Sequence, residues 1–142
     1  MNIMILEDDP SAMSVIGYLQ DRGYDVWHAQ SLLDVAYFLE EDPGLDYFDR
    51  LMFDAAVLSE SVSFMGKEVI NYGSKDKFSG LEFVVENFDF LKTKRIAIIT
   101  AYNREIHEKT KNTQSGKIVE KLTIIDKSDD KFMGQLLNFL NS

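Results

Sequence analysis

The sequence predicts an α/β fold: a three-layer αβα sandwich built on a five-stranded parallel sheet. Three observations carry this prediction. Five short runs rich in apolar residues, "MNIMIL", "YDVWHA", "FDAAVLS", "RIAIITA" and "KLTIIDK", are spread along the 142 residues. Segments whose apolar residues recur at helical spacing alternate with them. The first run, Ile3 to Leu6, is apolar without a polar alternation, as in a strand buried on both faces, and it ends abruptly in Glu7, Asp8 and Asp9.

Pro10 suits the first turn of a helix over about 10–22, which carries Met13, Ile16 and Leu19 inward and stops at Gly23. "YDVWHA" (24–29) is the second strand by its β-branched and aromatic content, and Ser31 caps the next helix, which holds Leu32, Leu33, Val35, Ala36, Phe38 and Leu39. The Pro-Gly pair of "EEDPGLD" ends it. The third strand is expected at 53–59, finishing at Ser59, Glu60 and Ser61. Residues 61–79 hold no sustained period and predict an inserted loop with a short strand pair at "FMGKEVINYG". A third helix starts near Ser79 and runs through Leu81, Phe83, Val84, Val85 and Phe88. "RIAIITA" (95–101) is the strongest strand signal. A polar fourth helix over 102–116 is expected to end at Gly116, followed by the fifth strand (121–127) and an amphipathic closing helix with Phe132, Met133, Leu136, Leu137, Phe139 and Leu140. For five such strands the flavodoxin-like order 2-1-3-4-5 is expected, with right-handed crossovers. That order brings the carboxyl ends of strands one and three together, at the edge where open α/β sheets bind ligands.

Length fits one domain, expected to span residues 1–142. The chain is 45% hydrophobic and 27% charged, with no apolar run near the ~20 residues of a membrane span. It has no cysteine, which rules out disulfides and thiolate metal sites, and its start lacks the basic region of an export signal. A cytoplasmic location is the expectation. The net charge of −9 repels phosphate backbones and argues against nucleic-acid binding by this domain alone. His28 and His107 lack metal-ligand spacing, and "KTKR" (92–95) reads as a solvated turn.

Four short motifs, three at strand ends and one at a helix start, resemble those of the response-regulator receiver domains of two-component signalling, the CheY-like family. "ILEDDP" is similar to the family's first strand and acidic pair, "ITA" to its hydroxyl-then-small pair, "IDKS" to its Lys-Pro, and "SGLEFV" to the start of its third helix. The resemblance implies Glu7 and Asp8 as Mg²⁺-binding carboxylates, Thr100 as a contact for phosphoryl oxygens, Lys127 as the phosphate-pairing lysine, and Gly80 as the matching glycine. It covers essentially the whole chain. In this alignment Asp54 matches an acid preceding the third strand, and Ser59 falls where the phosphoacceptor aspartate belongs. Ser128 replaces the proline, Ile124 stands at the position of a switching aromatic, and the connection from Ser59 to Gly80 is unusually long for a βα loop.

A hydroxyl is a poor nucleophile without a base, so the expectation is a pseudo-receiver: a phosphorylation-independent interaction module, not an enzyme. Its expected partner is a sensor kinase or an output protein, with a homodimer through the face of the fourth helix, fifth strand and closing helix. A weak Mg²⁺ site is expected on Glu7, Asp8 and the main-chain carbonyl of Ser61. The alternative there is an acidic pocket partly neutralised by Lys127, in a salt bridge to Asp8. Two other functions stay open: a working phosphorelay receiver that takes phosphate at Ser59 or a neighbouring acid, and a metal-dependent hydrolase on the acidic cluster.

Overall fold

A computed structural model describes residues 1–9, 13–67, 70–72 and 78–142, and all but the side chain of Asn71 among them. The expected helix start at Pro10 and parts of the 61–79 insertion therefore lie outside the described residues. Strands β1 (Asn2–Leu6), β2 (Asp25–Ala29), β3 (Arg50–Asp54), β6 (Arg95–Thr100) and β7 (Thr123–Asp126) form one parallel sheet, while β4 (Glu60–Val62) and β5 (Ile70–Tyr72) pair antiparallel by themselves. The parallel order is β2-β1-β3-β6-β7. Counted along the chain this is 2-1-3-6-7 and not the expected 2-1-3-4-5, because the hairpin places two extra strands between the third and fourth members of the main sheet.

Period-two alternation along each strand serves two cores. Ile3, Ile5, Met52, Ala97, Ile99 and Ile125 face α1 (Met13–Asp21) and α7 (Phe132–Leu140). Met4, Leu6, Leu51, Phe53, Ile96 and Ile98 face the other way, toward α2 (Leu32–Glu40), α3 (Ser79–Glu86), α5 (Asn103–Thr110) and α6 (Gln114–Val119). Both faces of the sheet are covered, which is why its strands read as nearly unbroken apolar runs. The caps agree with the sequence: the Ser31 hydroxyl accepts from Asp34 N (3.2 Å), and Gly23 leaves α1 with φ +91°.

Three boundaries differ from expectation. The third strand ends at Asp54 and not at Ser59. Its register pairs Leu6 with Phe53 and Asp54 with Ile99, and the chain then turns away at Ala55, whose carbonyl receives Gly80 N (3.0 Å). The apolar residues after Asp54 misled the sequence reading, yet Leu58 is solvent-exposed and Ser59 lies in the loop that follows. The third helix breaks at Asn87, buried between Phe83 O (2.8 Å) and the Tyr72 hydroxyl (3.1 Å), before the short α4 (Phe88–Leu91). The fourth helix is two, α5 and α6. Asn112 takes φ +61°, Thr113 caps α6 by accepting from Gly116 N (3.0 Å), and Gly116 sits inside α6, where a Cβ would come within 2.2 Å of Thr110 O.

The insertion is a packed part of the fold. Val62, Phe64 and Tyr72 are fully or almost fully buried, and Phe64 and Tyr72 meet Phe83 of α3 with ring centroids 5.0 and 5.3 Å apart. Lys67 Nζ donates to Glu86 O (3.0 Å), and Met65 N donates to Glu40 Oε1 (2.8 Å) at the end of α2. The hairpin is thereby fastened to the helices on either side. Truncating Phe64 to Ala is expected to cost ~3–5 kcal/mol of stability in chemical denaturation, as for any buried phenyl ring, whereas a loosely attached loop would show almost no change.

Candidate functional site

Alternation along three strands brings three charges to one place. Glu7 follows Ile5, Asp54 follows Met52 and Lys127 follows Ile125 by two residues, so all three continue the face that packs on α1 and α7. Lys127 Nζ donates to Glu7 Oε2 at 2.7 Å and also contacts Asp54 Oδ2, forming an ion pair with each. The two carboxylates are 6% and 5% exposed, and the Lys127 side chain is 32% exposed. One ammonium thus serves two buried acids at the carboxyl edge of the sheet.

The main chain supplies the remaining donors. Asp9 N donates to Glu7 Oε1 (3.0 Å), Ala56 N to Asp54 Oδ1 (2.9 Å), and Leu58 N to Asp8 Oδ2 (3.1 Å). Helix α3 starts hard against this edge. The Ser79 hydroxyl donates to Val57 O (2.6 Å), and a Cβ on Gly80 would lie 1.9 Å from Asp54 O, so only glycine allows that approach. On the side of α1 and α7, Glu7, Asp9 and Lys127 border a cavity of about 220 Å³ whose other walls include Ile5, Ile16, Met52, Ile99 and Phe132.

Burial and the shared ammonium act in opposite directions on the acids. Burial first, and then the neighbouring Glu7, push Asp54 up to about 7, against the opposing pull of Lys127 and Ala56 N. Burial also works against the Glu7 carboxylate. Its hydrogen bonds with Asp54, Lys127 and Asp9 N outweigh that and hold it below its ordinary value. Burial would lower Lys127, but its bonds to Asp54 and Glu7 prevail and raise it. Burial thus prevails at Asp54 and hydrogen bonding at Glu7, so Asp54 keeps its proton to higher pH.

The residues singled out in the sequence divide accordingly. Glu7 and Lys127 meet as pocket partners, but Lys127 pairs with Glu7 and Asp54 and not with Asp8, which is engaged by Leu58 N. Ser59 is not at the strand end. It lies five residues beyond Asp54, exposed, in the loop leading to β4. Ser61 belongs to the hairpin, opposite Asn71, because the strand that was expected to deliver it ends earlier. Thr100 is buried at the end of β6, where its hydroxyl accepts from Tyr102 N (2.8 Å) and its carbonyl accepts from Lys127 N (2.9 Å).

Asp54 is the residue that sequence reading misplaced. A signal existed: "LMFD" repeats the pattern of "IMILE", an apolar run closed by an acid, while Ser59 closes a run already broken by Asp54. Glu7, Asp8 and Asp54 offer the hard oxygen donors that Mg²⁺ takes, and three acids to one lysine leave this edge net negative. Among the described residues, however, no three His, Asp or Glu side chains are gathered into a preformed metal site. The donor chemistry fits such a cation, and Lys127 holds two of the acids meanwhile.

No family model matches the chain, and no curated protein matches it in sequence. Its fold does match solved structures of receiver domains. The chemotaxis protein CheY4 of Vibrio cholerae aligns with a TM-score of 0.62 at 18% identity, covering 99% of this chain and 95% of that one. A response regulator receiver domain protein from Clostridium thermocellum aligns at 0.63 and 14% identity, covering 99% and 94%. The receiver domain of the hybrid histidine kinase CckA aligns at 0.57 and 20%, covering 99% of both chains. The chain therefore has the CheY-like, flavodoxin-like fold. Among the described residues no helix is long and apolar enough to cross a membrane.

The raised Asp54 fixes a sign for stability. The folded state binds this proton more tightly than the unfolded chain, whose carboxyl titrates near 3.8, so Asp54 makes stability fall as pH rises from about 4 to about 7. Glu7 acts oppositely: its contribution is present above its unfolded value near 4.5 and is lost as pH falls through the lower folded one. Asp54→Asn is expected to raise the melting temperature at pH 8 by a few degrees, a gain that closes as pH approaches 4. A melting curve lowered equally at both pH values would contradict this account.

Proposed function

We propose that this chain is a signalling receiver domain in which Asp54 is the phosphoryl acceptor. The observation that carries the proposal is the placement of Asp54 at the end of β3, in contact with Lys127 and beside Glu7, in a fold shared with receiver domains. The phosphorylation-independent reading draws on a serine expected at this strand end, together with Ile124 and the long 59–80 connection; the residue that ends β3 is Asp54, which supports the present reading.

In the proposed reaction the Asp54 carboxylate attacks the phosphorus of a phosphohistidine on a partner kinase. An O–P bond forms, the N–P bond breaks, and the leaving imidazole takes a proton. Lys127 pairs with the incoming negative charge after releasing an acid, and Glu7 and Asp8 are the residues to hold Mg²⁺. Bound there, Mg²⁺ would supply neutralisation of the transferred charge. Thr100, at the end of the adjacent strand, is assigned the contact with the new phosphoryl group, its hydroxyl then leaving Tyr102 N. The domain acts in this reading as a relay and binding module for a sensor kinase and an output protein, and not as an enzyme. Self-association is assigned to the face of α5, α6, β7 and α7.

One observation favours a second reading, a module that never takes phosphate. Lys127 already satisfies both buried acids, and Asp54 is half protonated near neutrality, which blunts it as a nucleophile.

Incubation with acetyl phosphate and Mg²⁺, followed by intact-mass analysis, separates the two. The expected result is a gain of one phosphate that Asp54→Asn abolishes and Ser59→Ala preserves. Labelling should be faster at pH 8 than at pH 6, as the raised Asp54 carboxyl loses its proton. An unmodified parent protein, or label retained in Asp54→Asn, would remove Asp54 from the role.

A further inference from the structure

The outward side of α2 exposes large apolar side chains. Leu33 and Tyr37, one turn apart on α2, are 60% and 54% exposed. The hairpin extends this face. Glu60 Oε2 accepts from Leu33 N (3.2 Å) at one end of α2, and Glu40 Oε1 accepts from Met65 N (2.8 Å) at the other. Met65 is itself 43% exposed, and Leu58, two residues before Glu60, is 80% exposed. Four large apolar side chains are thus exposed on α2 and on the segment hydrogen-bonded to its two ends.

Its charge is one-sided. Between Gly23 and Gly66 the chain carries nine acids and a single base, Arg50. Asp34, Glu40, Glu41, Asp42 and Glu60 lie on or beside α2 and the start of the hairpin, and α2 itself has no basic residue. An apolar strip beside carboxylates repels nucleic acid and anionic lipid, and it complements a surface that is apolar with basic flanks. We propose that α2 and the hairpin dock a basic amphipathic helix of a partner protein, its apolar side on Leu33, Tyr37 and Met65 and its lysines or arginines against Glu40, Glu41 and Glu60. The surface is joined to the acidic edge of the sheet through Leu58, whose N–H is held by Asp8. It stands independently of phosphoryl transfer, because binding is measured without any phosphodonor.

The probe is an 18-residue peptide with leucine and lysine at helical spacing, titrated into the full chain by fluorescence anisotropy and mapped by amide chemical shifts. Saturable binding is expected, with shifts over 32–41 and 58–66. Leu33→Ser with Tyr37→Ser should weaken it at least tenfold, and Tyr18→Ser on α1 should leave it unchanged. Both altered residues of the pair are exposed, and an unchanged melting temperature confirms that the fold survives. Equal binding of a scrambled lysine-leucine peptide, shifts centred elsewhere, or indifference to the double variant would overturn the proposal. So would a dimer in sedimentation that the double variant dissolves, since the occupant would then be a second copy of this chain.

Discussion

One ammonium held between two buried carboxylates is the constraint around which this molecule is arranged. Lys127 must reach Glu7 and Asp54 at once, and the three groups come from strands that are distant in the chain. Taking such charges out of water costs free energy that only close pairing and further hydrogen bonds offset. The main-chain N–H groups of Asp9 and Ala56 supply those bonds. Burial, and then the neighbouring Glu7, lift Asp54, whereas hydrogen bonds from its neighbours outweigh burial at Glu7 and depress it, so the two acids of one site are driven apart.

The sheet is the device that meets this constraint. Each of the three side chains stands two residues beyond a core residue on the same face, so the packing of Ile5, Met52 and Ile125 against α1 and α7 also aims Glu7, Asp54 and Lys127. A slip of one residue in any strand would turn its charge to the opposite side. The glycine at 80 lets α3 start against the carbonyl of Asp54, so the strand ends and the helix on the other face are bound into the same edge.

The insertion fastens this edge to the surface of α2 and α3. A βα connection is ordinarily short. Here it carries a hairpin with its own aromatic contacts to α3 and its own carboxylate links to α2. The segment following Asp54 is thus tied to Asp8 by Leu58 and to α2 by Glu60.

Local pattern made the layered α/β architecture legible, along with the strand-end positions of Glu7, Asp8, Thr100 and Lys127, the Ser31 cap and the stop at Gly23. Each of these depends on residues near one another in sequence. The end of β3, the break of the fourth helix at Asn112 and the fastening of the hairpin were decided by tertiary contacts. An apolar run such as "FDAAVLS" does not say where it leaves a sheet, because that is set by the register with β1 and β6 and by the approach of Gly80 to Ala55 and Asp54. By itself the sequence determined which chemical groups this edge could contain. Only the folded sheet decided that Asp54, and not Ser59, stands next to Lys127, because side-chain direction alternates along a strand whose register is fixed by neighbours far away in the chain.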